Sequence, residues 1–108
     1  MIRIAIADDH ELVRAGFQRV LERHPDMKVV GLAASGSEVA PLLREHEVDV
    51  LLLDISMPGP SFLTLMEQVQ AQWPDVVVLV LSMHPEKTWA VRALRAGAAG
   101  YITKQRPA

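Results

Sequence analysis

The chain has 108 residues, half of them apolar, which suffices for one small domain with a modest core and excludes two. Its 11 basic and 13 acidic residues leave a net charge of -2 with no block of like charge, so the chain carries no electrostatic footprint for nucleic acid. It has no cysteine, which excludes a disulfide framework and a thiolate metal site, and no apolar run near the roughly 20 residues that cross a bilayer, so the expectation is a soluble cytoplasmic domain.

The apolar run Arg3-Ile4-Ala5-Ile6-Ala7 reads as a first strand, not a signal peptide, and runs into Asp8-Asp9. Apolar positions then recur at Val13, Gly16, Phe17, Val20 and Leu21, a period near 3.6 that marks a helix face, and His24-Pro25-Asp26 stops it. Met27 to Ala33 is the second strand. Ser35-Gly36-Ser37-Glu38 has the form of a capping box, with Ser35 as N-cap and Glu38 reaching back, and the helix after it runs to about Glu45. Pro41 conflicts with a helix interior, because proline lacks a backbone donor and crowds the preceding turn. The helix therefore either starts near Ala40 or kinks there.

Val48 to Asp54 is apolar on both faces, as a central parallel strand must be. Met57-Pro58-Gly59-Pro60 is a loop by composition. Phe62, Leu65, Met66 and Val69 form a third helical face, ended by Trp73-Pro74-Asp75. Val76 to Leu81 is a fourth strand, running into Ser82. Pro85 suits the first turn of a fourth helix, with Ala90, Ala93, Leu94 and Gly97 on its buried face and Trp89 one position off it. Gly97 and Gly100 frame a tight return into Tyr101-Ile102-Thr103, which runs into Lys104.

The order is strand–helix four times and a final strand. Parallel strands joined by right-handed crossover helices give an α/β three-layer sandwich. Such a sandwich wants a fifth helix, and the sequence stops at Arg106-Pro107-Ala108. The expectation is a single domain over 1–108, truncated at its C-terminus, with an uncovered apolar face that favours self-association.

In a parallel sheet the strand ends meet at the carboxyl edge, where open α/β sheets place their sites. That edge would collect Asp8, Asp9, Asp54, Ser82 and Lys104. Asp54 is the nucleophile candidate, since an aspartate ending a buried strand needs its charge compensated. Asp8 and Asp9 repel one another unless a hard cation such as Mg²⁺ lies between them. Lys104 and Ser82 supply the charge and the hydroxyl that a phosphoryl group requires. Each residue alone has a plainer reading: Asp54 or Asp9 as a helix cap, Ser82 as a loop hydroxyl, Lys104 as a solvated lysine. Their joint spacing favours the site. The four histidines, His10, His24, His46 and His84, show no metal-ligand spacing, and His24 and His46 read as surface residues at helix ends.

Asp8-Asp9, Leu53-Asp54-Ile55-Ser56-Met57-Pro58-Gly59, Leu81-Ser82 and Gly100-Tyr101-Ile102-Thr103-Lys104, in this order and spacing, resemble the receiver domains of bacterial two-component response regulators over the whole chain. The opening Ala7-Asp8-Asp9-His10-Glu11-Leu12-Val13-Arg14-Ala15-Gly16 is similar to the NarL/FixJ group, whose output is a LuxR-type helix-turn-helix DNA-binding domain. The resemblance implies a flavodoxin-like sheet of strand order 2-1-3-4-5. It implies that Asp54 is the phosphoacceptor for a sensor histidine kinase. Mg²⁺ would be held by Asp9, Asp54 and the Ser56 backbone carbonyl, with Asp8 assisting through water. Lys104 would neutralise the phosphoryl oxygens, Ser82 would move to bond them, and Tyr101 would swing inward behind it, changing the face that dimerises. Ser56 and His84 stand where family members influence how fast the acyl phosphate hydrolyses, and would set its lifetime here. DNA would be reached only through an output domain outside this chain. Family members commonly carry glycine where Phe62 stands, so the start of the third helix must be built differently here.

Three other classes compete. An aspartyl-phosphate phosphohydrolase also uses a strand-end Asp and Mg²⁺, but wants a second acid where this chain has Ser56. A receiver-like module could signal by protein contact without phosphorylation, and the complete set of Asp8, Asp9, Asp54, Ser82 and Lys104 argues against it. A flavin-binding module would want a Ser/Thr/Gly-rich phosphate loop after the first strand, where Asp8-Asp9-His10-Glu11 would repel phosphate.

Overall fold

In the computed structural model, which describes residues 1–55, 57–59, 61–82 and 94–103, one parallel sheet of five strands organises the chain. The elements are β1 (Ile2–Ala7), α1 (Glu11–Leu21), β2 (Met27–Ala33), a 3-10 turn (Gly36–Glu38), α2 (Val39–Glu45), β3 (Val50–Asp54), α3 (Phe62–Gln72), β4 (Val77–Ser82) and β5 (Gly100–Thr103). The strand order is β2-β1-β3-β4-β5, and every pair is parallel. This is the flavodoxin-like arrangement expected from the sequence.

The period-two alternation of the strands sorts side chains into two cores. Ala5, Ala7, Leu51, Leu53, Val78 and Val80 face α2 and α3. Ile4, Ile6, Val50, Leu52, Leu79 and Leu81 face α1. Burial on both faces is why β1, β3 and β4 read as continuous apolar runs.

α3 follows its pattern: Phe62, Leu65, Met66 and Val69 are all buried. Its start is capped by Ser61, whose Oγ accepts the Thr64 backbone N–H at 3.2 Å. Phe62 is thus the first helical residue, and its ring fills the core. A serine cap replaces the conformational freedom that a glycine at position 62 would supply. Upstream, Gly59 adopts φ +106°, the left-handed region, and turns the chain so that Pro58 C=O accepts the Gly36 backbone N–H at 3.0 Å.

α2 starts at Val39, later than the apparent capping box. Pro41 therefore sits in the first turn, where a missing N–H costs no intrahelical bond. The Ser35 and Glu38 side chains do not make the reciprocal cap. The Ser35 hydroxyl donates to Glu38 Oε2 at 3.1 Å, and Glu38 Oε1 accepts from the Ala34 backbone N–H at 3.3 Å. The Glu38 N–H instead closes a 3-10 turn onto Ser35 C=O. Leu42 then packs against Gly31 of β2, where a Cβ would stand 2.9 Å from Leu42 Cγ.

α1 departs from the expected face. Val13, Phe17 and Leu21 are half-buried, Gly16 and Val20 are exposed, and no α1 residue is fully buried. Among the described residues, Phe17 and Leu21 of α1 pack on the sheet cluster beneath, a narrower stripe than the sequence offers. Leu94, expected inside, is 51% exposed, while Ala96 packs against the core and Ala98 is buried. Gly97, also expected inside, is exposed and adopts φ +109° in the turn before β5. Ala90, Ala93, Trp89 and Pro85 lie outside the described residues, as does the stretch after Thr103 where a fifth helix was not expected. No helix among the described residues is long and apolar enough to cross a membrane.

Candidate functional site

The strand registers bring the candidate residues to one edge. Ala7 pairs with Leu53, so Asp8 and Asp54 leave the sheet side by side. Asp54 pairs with Leu81 and Ser82 with Thr103, which sets Ser82 one rung beyond the acceptor candidate. Asp8, Asp54 and Ser82 are fully buried at the mouth of the sheet, and Asp9 is exposed. Tyr101 is half-buried and packs against the core on the α2–α3 side. Lys104, the Ser56 carbonyl and His84 lie outside the described residues.

Asp8 is held on three sides. Its N–H donates to Ala33 C=O at 2.9 Å, its Oδ1 accepts the His10 backbone N–H at 2.8 Å, and its C=O accepts from Arg14 Nη1 at 2.6 Å. Asp9 does not cap α1. The N-cap residue is His10, and no side chain caps there, which leaves the Asp9 carboxylate available to the pocket.

One histidine that sequence spacing passed over belongs to the cluster. His10 Nδ1 lies 2.9 Å from Asp8 Oδ1, 3.2 Å from Asp9 Oδ1 and 4.0 Å from Asp54 Oδ2. Ligand atoms of Asp8, Asp9, His10 and Asp54 all lie within 4.8 Å of one another. Two signals could have found His10: it directly follows the acidic pair, and it stands at a strand–helix junction on the carboxyl edge. A search for local spacing misses it because Asp54 comes from a distant strand.

Two unit charges about 4 Å apart repel by about 4 kcal/mol at an effective dielectric near 20. Three carboxylates in this space therefore favour a cation strongly and oppose an approaching phosphoryl anion unless that cation is bound. The donor set suits a hard divalent ion: three carboxylates, two of them buried, whose oxygens lie within 4.8 Å of one another.

At the opposite edge a second charged group ties the sheet together. The Arg3 backbone N–H donates to Asp49 Oδ2 at 2.8 Å, its guanidinium reaches Asp49 and Glu47, and Val77 N–H donates to Asp49 C=O at 2.9 Å. The backbone N–H of Arg3, then its guanidinium, holds the Asp49 carboxyl below the usual carboxylate range.

Residues 4–108 match the response regulator receiver domain family. The chain is 41% identical over 104 residues to the response regulator UvrY of Escherichia coli K12, covering 96% of this chain and 48% of that protein, so it spans about half the length of this curated relative. Its fold is similar to the receiver domain of the putative response regulator NarL from Mycobacterium tuberculosis, with a TM-score of 0.89 at 35% identity over 98% of this chain and 86% of that one. It is also similar to a two-component response regulator of the LuxR family from Aurantimonas, with a TM-score of 0.88 at 36% identity over 95% and 74%. The acid-lined carboxyl edge and these likenesses agree: the chain belongs to the receiver domains of response regulators, of the LuxR/NarL type.

Proposed function

We propose that Asp54 accepts a phosphoryl group from a sensor histidine kinase, and that the resulting acyl phosphate switches the domain. The observation that carries this reading is the buried Asp54 carboxylate converging with Asp8 and Asp9 within reach of one ion. A carboxylate oxygen of Asp54 attacks phosphorus, the bond to the donor histidine nitrogen breaks, and that nitrogen regains a proton. Asp9, Asp54 and the Ser56 carbonyl hold Mg²⁺, with Asp8 assisting through water. Bound there, Mg²⁺ screens the carboxylates and shields the transferring phosphoryl oxygens. Lys104 neutralises the phosphoryl group, Ser82 bonds it, and Tyr101 shifts behind Ser82. Ser56 and His84 tune how fast water removes the group. The domain serves as acceptor and switch, not as a turnover enzyme. It acts in the cytoplasm, and receiver self-association controls a DNA-binding output domain outside these residues.

Intact-mass measurement after incubation with acetyl phosphate and Mg²⁺ tests the reading. One phosphoryl adduct is expected, absent in Asp54→Asn and absent with EDTA. A folded chain that forms no adduct, or an Asp54→Asn variant that still forms one, refutes it and leaves a phosphorylation-independent interaction module.

A further inference from the structure

We propose that Arg14 is a positioning residue for the cation site: by bonding the Asp8 carbonyl, its guanidinium fixes the peptide that carries Asp9 and presets the Asp9 carboxylate for Mg²⁺. The proposal rests on reading Asp8, Asp9 and Asp54 as that site, and adds a residue that acts through the backbone behind it.

The backbone carries the assignment. Residues 8–10 are the whole link between β1 and α1. Asp8 N–H donates to Ala33 C=O at 2.9 Å, which pins the peptide before Asp8 to β2. Asp8 C=O accepts from Arg14 Nη1 at 2.6 Å, which pins the peptide after it to α1. A trans peptide is planar, so aiming that carbonyl also aims the N–Cα bond of Asp9. The helix itself places Arg14 for this. Its backbone N–H donates to His10 C=O at 3.0 Å, closing the first turn of α1. Side chains of a helix lean towards its N-terminus, so the Arg14 stem runs back over that turn to Asp8.

Asp9 is the ligand that needs placing. Asp8 and Asp54 are buried, whereas the Asp9 side chain is 33% exposed and does not cap α1. Repulsion from two buried carboxylates drives an exposed one outward. Recruiting it costs the conformational freedom of its loop, and that cost falls when the loop is already fixed. The His10 ring meets the Asp9 carboxylate at 3.2 Å, and Arg14 acts one step further back, on the peptide. Because the Arg14 bond falls on a backbone oxygen, it takes up no carboxylate oxygen that the cation needs.

A positive charge beside a cation site by itself opposes the cation, so positioning and charge predict opposite signs. Calorimetric titration of the full chain with Mg²⁺ separates them. Arg14→Met, which keeps the stem and loses the donors, should bind Mg²⁺ about tenfold more weakly. The Mg²⁺ concentration for half-maximal adduct formation with acetyl phosphate should rise by the same factor. Arg14→Lys, which keeps a donor without the planar fork, should fall between the two proteins. If Arg14→Met binds Mg²⁺ as the wild type does, with only its melting temperature lowered, Arg14 is structural and the assignment is overturned. Tighter binding overturns it in favour of a charge effect. A second measurement needs no variant to fold. Coupling is reciprocal, so saturating Mg²⁺ should slow several-fold the exchange of the wild-type Arg14 guanidinium protons with water, followed by NMR; an unchanged rate overturns the assignment. A folded wild-type chain that binds no Mg²⁺ refutes the site itself, whereas one that binds it independently of Arg14 refutes the Arg14 role alone.

Discussion

Asp49 shows how one residue can bind three strands. Its carboxylate accepts the Arg3 backbone N–H of β1, its own N–H donates to Arg3 C=O, and its C=O accepts Val77 N–H of β4. It lies just before β3, so β1, β3 and β4 are tied at the edge opposite the acidic pocket. The folded carboxyl sits below its ordinary value because the charged form is the one that Arg3 bonds. A depressed folded value means that the contribution is complete above the unfolded value, near 4, and is lost as pH falls through the folded one. Asp49→Asn should therefore lower the melting temperature at pH 7 and lower it less at pH 3. Thermal melts of both proteins across that range check the sign, and a gap that widens on acidification would contradict it. The Arg3–Asp49 pair was not singled out from sequence, because its partners are 46 residues apart and only the strand register brings them together.

Elements differ in how openly their sequences declare them. The strands were legible because burial on both faces leaves apolar runs with no alternative period, and β2 was bounded at Met27 and Ala33 as found. α3 was legible for a similar reason: a helix flush on the sheet buries its whole stripe. What stayed hidden depended on contacts made after folding. The serines before α2 looked like a cap, but the chain first makes a 3-10 turn there, and the side chains pair with each other instead. A side-chain cap is made instead at α3, by Ser61, just after the Met57–Pro60 loop. Ser61 Oγ accepts the Thr64 N–H, and its hydroxyl also lies 2.9 Å from Thr64 Oγ1. Ser61→Ala should cost about 1 kcal/mol of stability in urea denaturation, and Ser61→Asp, which restores an acceptor at the helix N-terminus, should recover most of it. An alanine variant as stable as the wild type would show that Phe62 burial alone fixes the start of α3. The site divides the same way. Asp8, Asp9, Asp54 and Ser82 were legible because they end apolar strands. His10 was not, because the cluster that gathers it is completed by Asp54 from another strand.

At the scale of the whole molecule, the two faces of the sheet are unequally held. The face under α2 and α3 contains Val39, Leu42, Leu43, Phe62, Leu65, Met66 and Val69, all buried. Among the described residues, the other face is covered by α1 alone, whose Phe17 and Leu21 are only half-buried. Val77 and Ile102 remain 44% and 37% exposed. Apolar area removed from water sets how firmly an element is held, so α1 has the smaller share of the stabilisation. Met66→Ala should cost about 2–5 kcal/mol, as expected for emptying a filled core position, and Phe17→Ala clearly less despite its larger side chain. The same imbalance predicts a hierarchy of opening, because elements with few buried contacts exchange amide protons through local motion while core elements wait for global unfolding. Amides in the middle of α1 should exchange at least about tenfold faster than those of α3, and a denaturant series should leave the α1 rate nearly flat while the α3 rate rises steeply. Equal protection of the two helices would mean that α1 is fastened by its N-terminal end, through Arg14 on the Asp8 carbonyl and His10 at the carboxylates. In that case a cation at the pocket, drawing in the carboxylates, would change α1 exchange directly. Measuring the same amides with and without Mg²⁺ distinguishes a helix held by its face from one held by its N-terminal end.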